Sequence, residues 1–221
     1  MGRKYFVPAL FSKTGSLGVY SFKKLKNIDK MSGFLLLKNF IKSPTSVGSI
    51  WPSSPVLANA ITTDINLEKS SSIVELGPGT GIFTEYIIKK KEHNAKFFVV
   101  ELNPELCNII KNKYPTIKVY NESAANLELL KNEERLEHIE TIISGLPWAS
   151  FPTHVQNSIM EAIHVSLKPN GIFTTFAYIQ GALLPSAIKF RRLLKKYFSS
   201  VETSKIVWRN IPPAFIYRCV K

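Results

Sequence analysis

Three glycines at alternate positions, Gly77, Gly79 and Gly81, join an apolar run to a helix-like one, and few folds can use such a junction. Ser72-Ile73-Val74-Glu75-Leu76 has the composition of a buried strand, and Ile82-Phe83-Thr84-Glu85-Tyr86-Ile87-Ile88 that of a helix. Glycine tolerates positive φ and has no Cβ, so a ligand can lie directly against the backbone of the turn. Free N–H groups at the start of the following helix favour negative charge there. A dinucleotide fingerprint needs glycine at position 82, where Ile82 stands, and no Gly-Lys-Ser/Thr comes after it to make a phosphate loop. What remains is an acid, Glu75, two residues ahead of Gly77-Pro78-Gly79-Thr80-Gly81. An ordinary strand–helix turn has no need of three spaced glycines and that acid.

A second carboxylate supports a ligand site. Lys96-Phe97-Phe98-Val99-Val100 reads as a buried strand that ends at Glu101. Ligands of open α/β sheets bind at the carboxyl ends of strands, and an acid about 20 residues past the glycine turn can hold ribose hydroxyls. Strand and helix patterns alternate along the rest of the chain: strand 72–76, helix 80–91, strand 96–101, helix 104–113, strand 116–120, strand 140–144, helix 153–167 and strand 171–177. Residues 128–140 form a charged helix or loop. Such alternation predicts a mostly parallel, doubly wound sheet with helices on both faces. After a helix over 186–199, the segments 204–208 and 214–220 fit a late antiparallel hairpin that closes the sheet. Ahead of the sheet, 56–65 reads as a helix.

Charge narrows the partners. The formal net charge is +13, which must face something anionic, either nucleic acid or an acidic membrane surface. The 221 residues suit one domain plus an extension, divided here at residues 1–43 and 44–221. Lys23, Lys24, Lys26 and Lys30 precede a segment, 31–42, in which Phe34, Leu36, Leu37, Phe40 and Ile41 share one helical face and Lys38, Asn39 and Lys42 the other. A basic amphipathic helix of this kind lies in a membrane interface or packs on its own core. No stretch approaches 18 uninterrupted apolar residues, and the first residues show no signal-peptide pattern. Cys107 and Cys219 make no paired motif, and the four histidines show no ligand spacing, so no metal is expected.

Glu75 with its glycine turn, joined by Glu101 further on, resembles the cofactor motifs of the class I S-adenosylmethionine-dependent methyltransferases, and the fold this implies is their Rossmann-like α/β sheet. Families within that class differ mainly in the segment after the fourth strand. Here it is Ser144-Gly145-Leu146-Pro147-Trp148, similar to the Asn-Leu-Pro-Tyr of the ribosomal RNA adenine dimethylases with Gly145 in place of the asparagine that holds the target amino group. Three further strings resemble the bacterial phospholipid N-methyltransferases: residues 47–55, ending Pro52-Ser53-Ser54-Pro55; residues 144–147 with Ser150-Phe151-Pro152; and Val207-Trp208-Arg209-Asn210-Ile211-Pro212-Pro213-Ala214. The resemblance implies S-adenosylmethionine as cofactor, held by Glu75, Gly77, Pro78, Gly79, Thr80, Gly81, Glu101, Leu102, Ser123, Ala124, Gly145 and Ser53. After the third strand the family usually has Gly-Asp-Ala, whose aspartate binds adenine. Glu122-Ser123-Ala124 stands here, leaving Ser123 or Glu122 to take that place.

The activity implied is methylation of the phosphatidylethanolamine amine to give phosphatidylcholine, by a cytoplasmic enzyme peripheral on the inner membrane face. A phospholipid and an anionic membrane are the partners, without nucleic acid. Tyr178 is the candidate to carry a proton from the amine; Trp148, with Phe176 and Tyr178, offers aromatic faces to a growing ammonium; Arg209 suits the lipid phosphodiester. The rival readings are an enzyme acting on another aminolipid such as ornithine lipid, an RNA adenine N6-methyltransferase, and a catalytically silent cofactor- or membrane-binding protein.

Overall fold

A computed structural model describes residues 53–221, so the expected amphipathic helix, the lysine cluster and the division at residue 43 lie outside the described residues. Seven strands form one sheet in the order β3-β2-β1-β4-β5-β7-β6. They are β1 (Ser72–Leu76), β2 (Lys96–Val100), β3 (Lys118–Tyr120), β4 (Ile139–Ser144), β5 (Leu167–Tyr178), β6 (Ser200–Thr203) and β7 (Ala214–Val220). The first five run parallel, and β7 then pairs antiparallel with both β5 and β6. This is the Rossmann-like class I methyltransferase sheet with its C-terminal antiparallel hairpin.

Among the described residues six α-helices pack around the sheet: α1 (Pro55–Ile61), α2 (Ile82–Lys90), α3 (Pro104–Lys113), α4 (Leu127–Glu133), α5 (Thr153–Ser166) and α6 (Pro185–Tyr197). Short 3-10 turns lie between them, one of them at Trp148–Ser150. Residues alternate sides along each strand, so Val74 and Leu76 enter one core with Phe173, Trp148 and Met160, while Ile73 enters the other with Leu57, Phe83 and Ile216. β1 is buried along its whole length, as a central parallel strand should be.

Several boundaries differ from the sequence pattern. The second strand of the hairpin pair is β6 at Ser200–Thr203, not 204–208. Val201 pairs with Cys219 and packs on the core, whereas 204–213 forms a loop in which Val207 makes only an isolated bridge to Ala214. α1 stops at Ile61, and just beyond it Asp64 and Asn66 turn to φ 58° and 52°. β5 starts early, at Leu167. The turn-like Pro169-Asn170-Gly171 is absorbed as an irregularity, with pairing stepping from Ile139–Leu167 to Thr141–Ile172 and Asn170 at φ 60°.

The parallel register aligns the ends of β1, β2 and β4, since Leu76 lies opposite both Val100 and Ser144. Gly77, Glu101 and Gly145 therefore emerge side by side at one edge of the sheet.

Candidate functional site

The turn after β1 is held from both sides. Gly77 N–H donates to Val100 O at 2.9 Å and Gly145 N–H to Leu76 O at 2.8 Å, so the three strand ends are tied together. Gly77, Gly79 and Gly81 all take positive φ. A Cβ built on Gly79 would meet nothing within 4 Å, so its backbone faces open space at the mouth of the sheet. Gly145 is the opposite case, because a Cβ there would lie 2.5 Å from Gly77 O. No side chain of any kind fits at that position without moving the turn.

Two buried carboxyls flank the turn. Glu75 is fully buried; its Oε2 accepts from Thr84 Oγ1 at 2.6 Å, and its Oε1 has no hydrogen-bond partner among the described residues. Burial pushes its pKa up to about 8, against the hydrogen bond from Thr84, and the nearby Glu101 raises it further. Glu101 is 4% exposed, and burial raises its pKa too. Its Oε1 accepts from Asn103 N–H at 2.9 Å and its Oε2 from Gly79 N–H at 3.4 Å. An orphaned acid oxygen beneath an open glycine backbone suits a ligand with cationic and hydroxyl groups. Those are the groups of S-adenosylmethionine, so the residues present fit that cofactor.

Side chains beyond the motif complete the frame. Asn121 Nδ2 donates to Glu101 O at 3.1 Å and to Leu102 O at 2.9 Å, fixing the loop that presents Glu101. Asn103 caps α3 by accepting from Glu105 N–H. Neither residue stands out in the sequence; the cue for Asn103 is the Asn-Pro pair that opens a helix. Ser123 accepts from Ala125 N–H at 3.3 Å and caps a 3-10 turn, Ala124–Asn126, in which Ala124 is buried. Glu122 Oε2 accepts from Asn126 Nδ2 at 2.8 Å. Both residues offered for the adenine position thus already make local bonds. Pro78 O accepts from Gly81 N–H at 2.9 Å, closing the turn around Thr80.

The sequence strings at the two ends of the chain meet in space. Ser54 N–H, next to Ser53, donates to Asn210 Oδ1 at 3.0 Å, and Asn210 Nδ2 donates to Pro212 O at 2.6 Å. Asn210 is 2% exposed. The contact brings the Ser-Ser-Pro and Trp-Arg-Asn-x-Pro-Pro strings together at Asn210.

The residues expected to face the substrate separate. Tyr178 ends β5, three residues past the partner of Ser144, roughly 10 Å beyond the end of β4. It is half-buried, burial raises its pKa, and its ring lies edge-on to Phe176 at 5.3 Å, with Phe176 in turn 5.8 Å from Phe83. Trp148 does not join them. It is buried in the opposite core, stacked on Phe190 at 4.6 Å, with Nε1 donating to Ser144 Oγ at 3.1 Å. Its ring faces are taken by protein, which corrects the expectation of a substrate wall there. Arg209 is exposed and makes no ion pair with the described residues. Among the described residues no helix is long and apolar enough to cross a membrane, and no cluster of three or more His, Cys, Asp or Glu could hold a metal ion.

A family model for ribosomal RNA adenine dimethylase matches residues 42–169. The chain is 28% identical over 189 residues to an ornithine lipid N-methyltransferase of Singulisphaera acidiphila, a match covering 84% of this chain and 94% of that protein. It is 25% identical over 126 residues to ribosomal RNA small subunit methyltransferase A of Hydrogenobaculum, covering 57% of this chain and only 47% of that one. Among solved structures, the N-methyltransferase NodS from Bradyrhizobium japonicum superposes with a TM-score of 0.60 at 12% identity, over 76% of this chain and 97% of that one. Magnesium protoporphyrin IX methyltransferase from Synechocystis, with SAM bound, gives 0.56 at 12% identity, over 75% and 76%. Likeness at that identity concerns the fold alone.

Proposed function

The chain belongs to the ribosomal RNA adenine dimethylase family of S-adenosylmethionine-dependent methyltransferases, and from that premise we propose that the group it methylates is the amine of a membrane lipid. The observation that carries this reading is Gly145. Where relatives acting on adenine place an asparagine, this chain has a backbone so close to Gly77 O that no side chain fits. The similarity to an ornithine lipid enzyme over nearly that enzyme's whole length supports an aminolipid, and favours ornithine lipid over the phosphatidylethanolamine expected from the sequence.

S-adenosylmethionine supplies, when bound, a methyl group made electrophilic by its sulfonium. Glu75, Gly79 and Glu101 are the residues that would hold it. The chain's remaining task is to present a neutral amine, mostly by positioning. A free primary ammonium has a pKa of about 10.4, so a proton must leave first. The half-buried, apolar surround of Phe83, Phe176 and Tyr178 lowers an amine's pKa by desolvation. Tyr178, kept as the phenol by burial, would accept a hydrogen bond from the ammonium while its own O–H donates to water, so that the ammonium proton replaces the hydroxyl proton as the latter leaves to solvent. Phe176 and Tyr178 offer ring faces to the more alkylated ammonium, worth about 0.5–2 kcal/mol each. Arg209 is suited to the anionic part of the head group, a carboxylate in ornithine or a phosphodiester in phosphatidylethanolamine.

Expression in a bacterial host that makes both aminolipids but no N-methylated ones tests the reading. Mass spectrometry of its lipids should show mono- to trimethylated aminolipid with the parent chain and none with Gly79→Val. Unaltered lipids accompanied by newly methylated ribosomal RNA would reject it.

A further inference from the structure

The rim beside Tyr178 carries large apolar side chains in water. Leu183 is 87% exposed, Ile211 74% and Trp208 69%. They come from two connections, β5–α6 and β6–β7, that are joined where Ile179 N–H donates to Pro213 O at 3.0 Å. The β6–β7 loop is not loose. Asn210 is buried and bonded to Ser54 and Pro212, and Val207 N–H donates to Ala214 O at 2.7 Å. With Asn210 turned inward, its neighbours Arg209 and Ile211, and Trp208 beyond, are held outward. Exposed apolar groups fixed on an ordered loop mark an interaction surface rather than slack chain.

The charge around them is mostly positive. The β6–β7 loop contributes Lys205 and Arg209, and the half of α6 nearer the rim Lys189, Arg191 and Arg192, against one exposed acid, Glu202, at the end of β6. None of these cations pairs with a carboxylate of the described residues, although the chain forms such pairs elsewhere, as at Lys168 and Glu140.

We infer that Leu183, Trp208 and Ile211 form a docking rim that inserts into the surface of an anionic bilayer, seating the carboxyl end of β5 on the membrane. The inference rests on the lipid reading above and adds where the bilayer meets the fold. Aliphatic side chains beside a tryptophan, with cations on both flanking segments, match the layered chemistry of a membrane interface, with apolar groups at the acyl boundary and cations at the head groups. Single-stranded RNA calls instead for a series of aromatic stacking platforms, and the rim offers one, Trp208, beside the aliphatic Leu183 and Ile211.

The test uses the full chain and sonicated vesicles of phosphatidylcholine with one-third phosphatidylglycerol. The double variant Trp208→Ser/Ile211→Ser should bind roughly tenfold more weakly in sedimentation, the equivalent of about 1.4 kcal/mol. Leu183→Ser, on the other connection, should shift binding in the same direction and covers the case in which the double variant fails to fold. Transfer to aminolipid in vesicles should fall in parallel, while transfer to a monomeric short-chain aminolipid stays at the parent rate. Vesicle binding equal to the parent's in folded variants overturns the rim, as does tighter binding. Loss of RNA binding in the variants, with vesicle binding intact, overturns it too. Vesicle binding that depends on the rim in a chain that methylates no lipid would leave the rim standing and reject only the lipid substrate.

Discussion

Glu75 is the residue whose chemistry is most open to measurement. Its carboxyl ionises at its ordinary value of 4.5 when the chain is unfolded and at about 8 when it is folded. Between those values the native state holds a proton that the unfolded chain has released. Its contribution to stability is therefore full below about 4.5 and lost as pH rises towards 8. Glu75→Gln should raise the melting temperature of the ligand-free protein at pH 8 and change it little at pH 4.5. A variant less stable than the parent at pH 8 would mean that Glu75 is ionised and paired. A cationic ligand reverses the balance by favouring the carboxylate, so S-adenosylmethionine binding at pH 7 should release protons. Calorimetry in buffers of different ionisation enthalpy should show this for the parent and not for Glu75→Gln; buffer-independent heats in the parent would contradict it. Gly145 gives a second residue-scale prediction. Gly145→Asn should fail to create activity on RNA and should weaken S-adenosylhomocysteine binding at least tenfold, because its Cβ collides with Gly77 O. Unchanged affinity would show that the turn yields. The acid and the glycines are legible in the sequence because their spacing is local. Thr84 and Asn121 are not, because their roles depend on hydrogen bonds to residues 9 and 20 positions away whose partners only the fold reveals.

Among the elements, those with strong local pattern are legible in the sequence and those set by tertiary contact are not. β1, α3 and β7 match the sequence pattern to the residue, since each is an apolar or periodic run with clear ends, capped in α3 by Asn103 and Pro104. β6 is displaced from its expected place because Ser200-Val201-Glu202-Thr203 has no more strand character than the segment after it, and only its pairing with β7 selects it. Trp148 shows the same limit for a side chain. An aromatic just past a strand end suits a substrate wall or a core equally well, and the 3-10 turn at Trp148–Ser150 sends it inward against Phe190. Trp148→Ala should accordingly cost about 3–5 kcal/mol of stability, measured by denaturant unfolding. Trp148→Phe should lower the melting temperature by a few degrees, through loss of the bond to Ser144, and leave kcat nearly unchanged. An unaltered melting temperature with a raised KM would restore the wall.

At the scale of the whole molecule, the carboxyl ends of the parallel strands gather the glycine turn with its two buried acids, Tyr178 and the exposed rim. The opposite ends of the strands carry packing and caps, as where Lys221 Nζ donates to Leu167 O at 2.7 Å. This arrangement and the charge of +13 suit an enzyme whose substrate lies in a surface rather than in solution. The charge is readable from composition and is silent between RNA and membrane; the direction comes from Gly145 and from where the exposed apolar side chains sit. The most direct test traces labelled methyl from S-adenosylmethionine into vesicles containing ornithine lipid, vesicles containing phosphatidylethanolamine, and ribosomal RNA, side by side with the full chain. Label should enter an aminolipid, ornithine lipid foremost, and not RNA; label in RNA with none in either lipid would contradict the lipid reading.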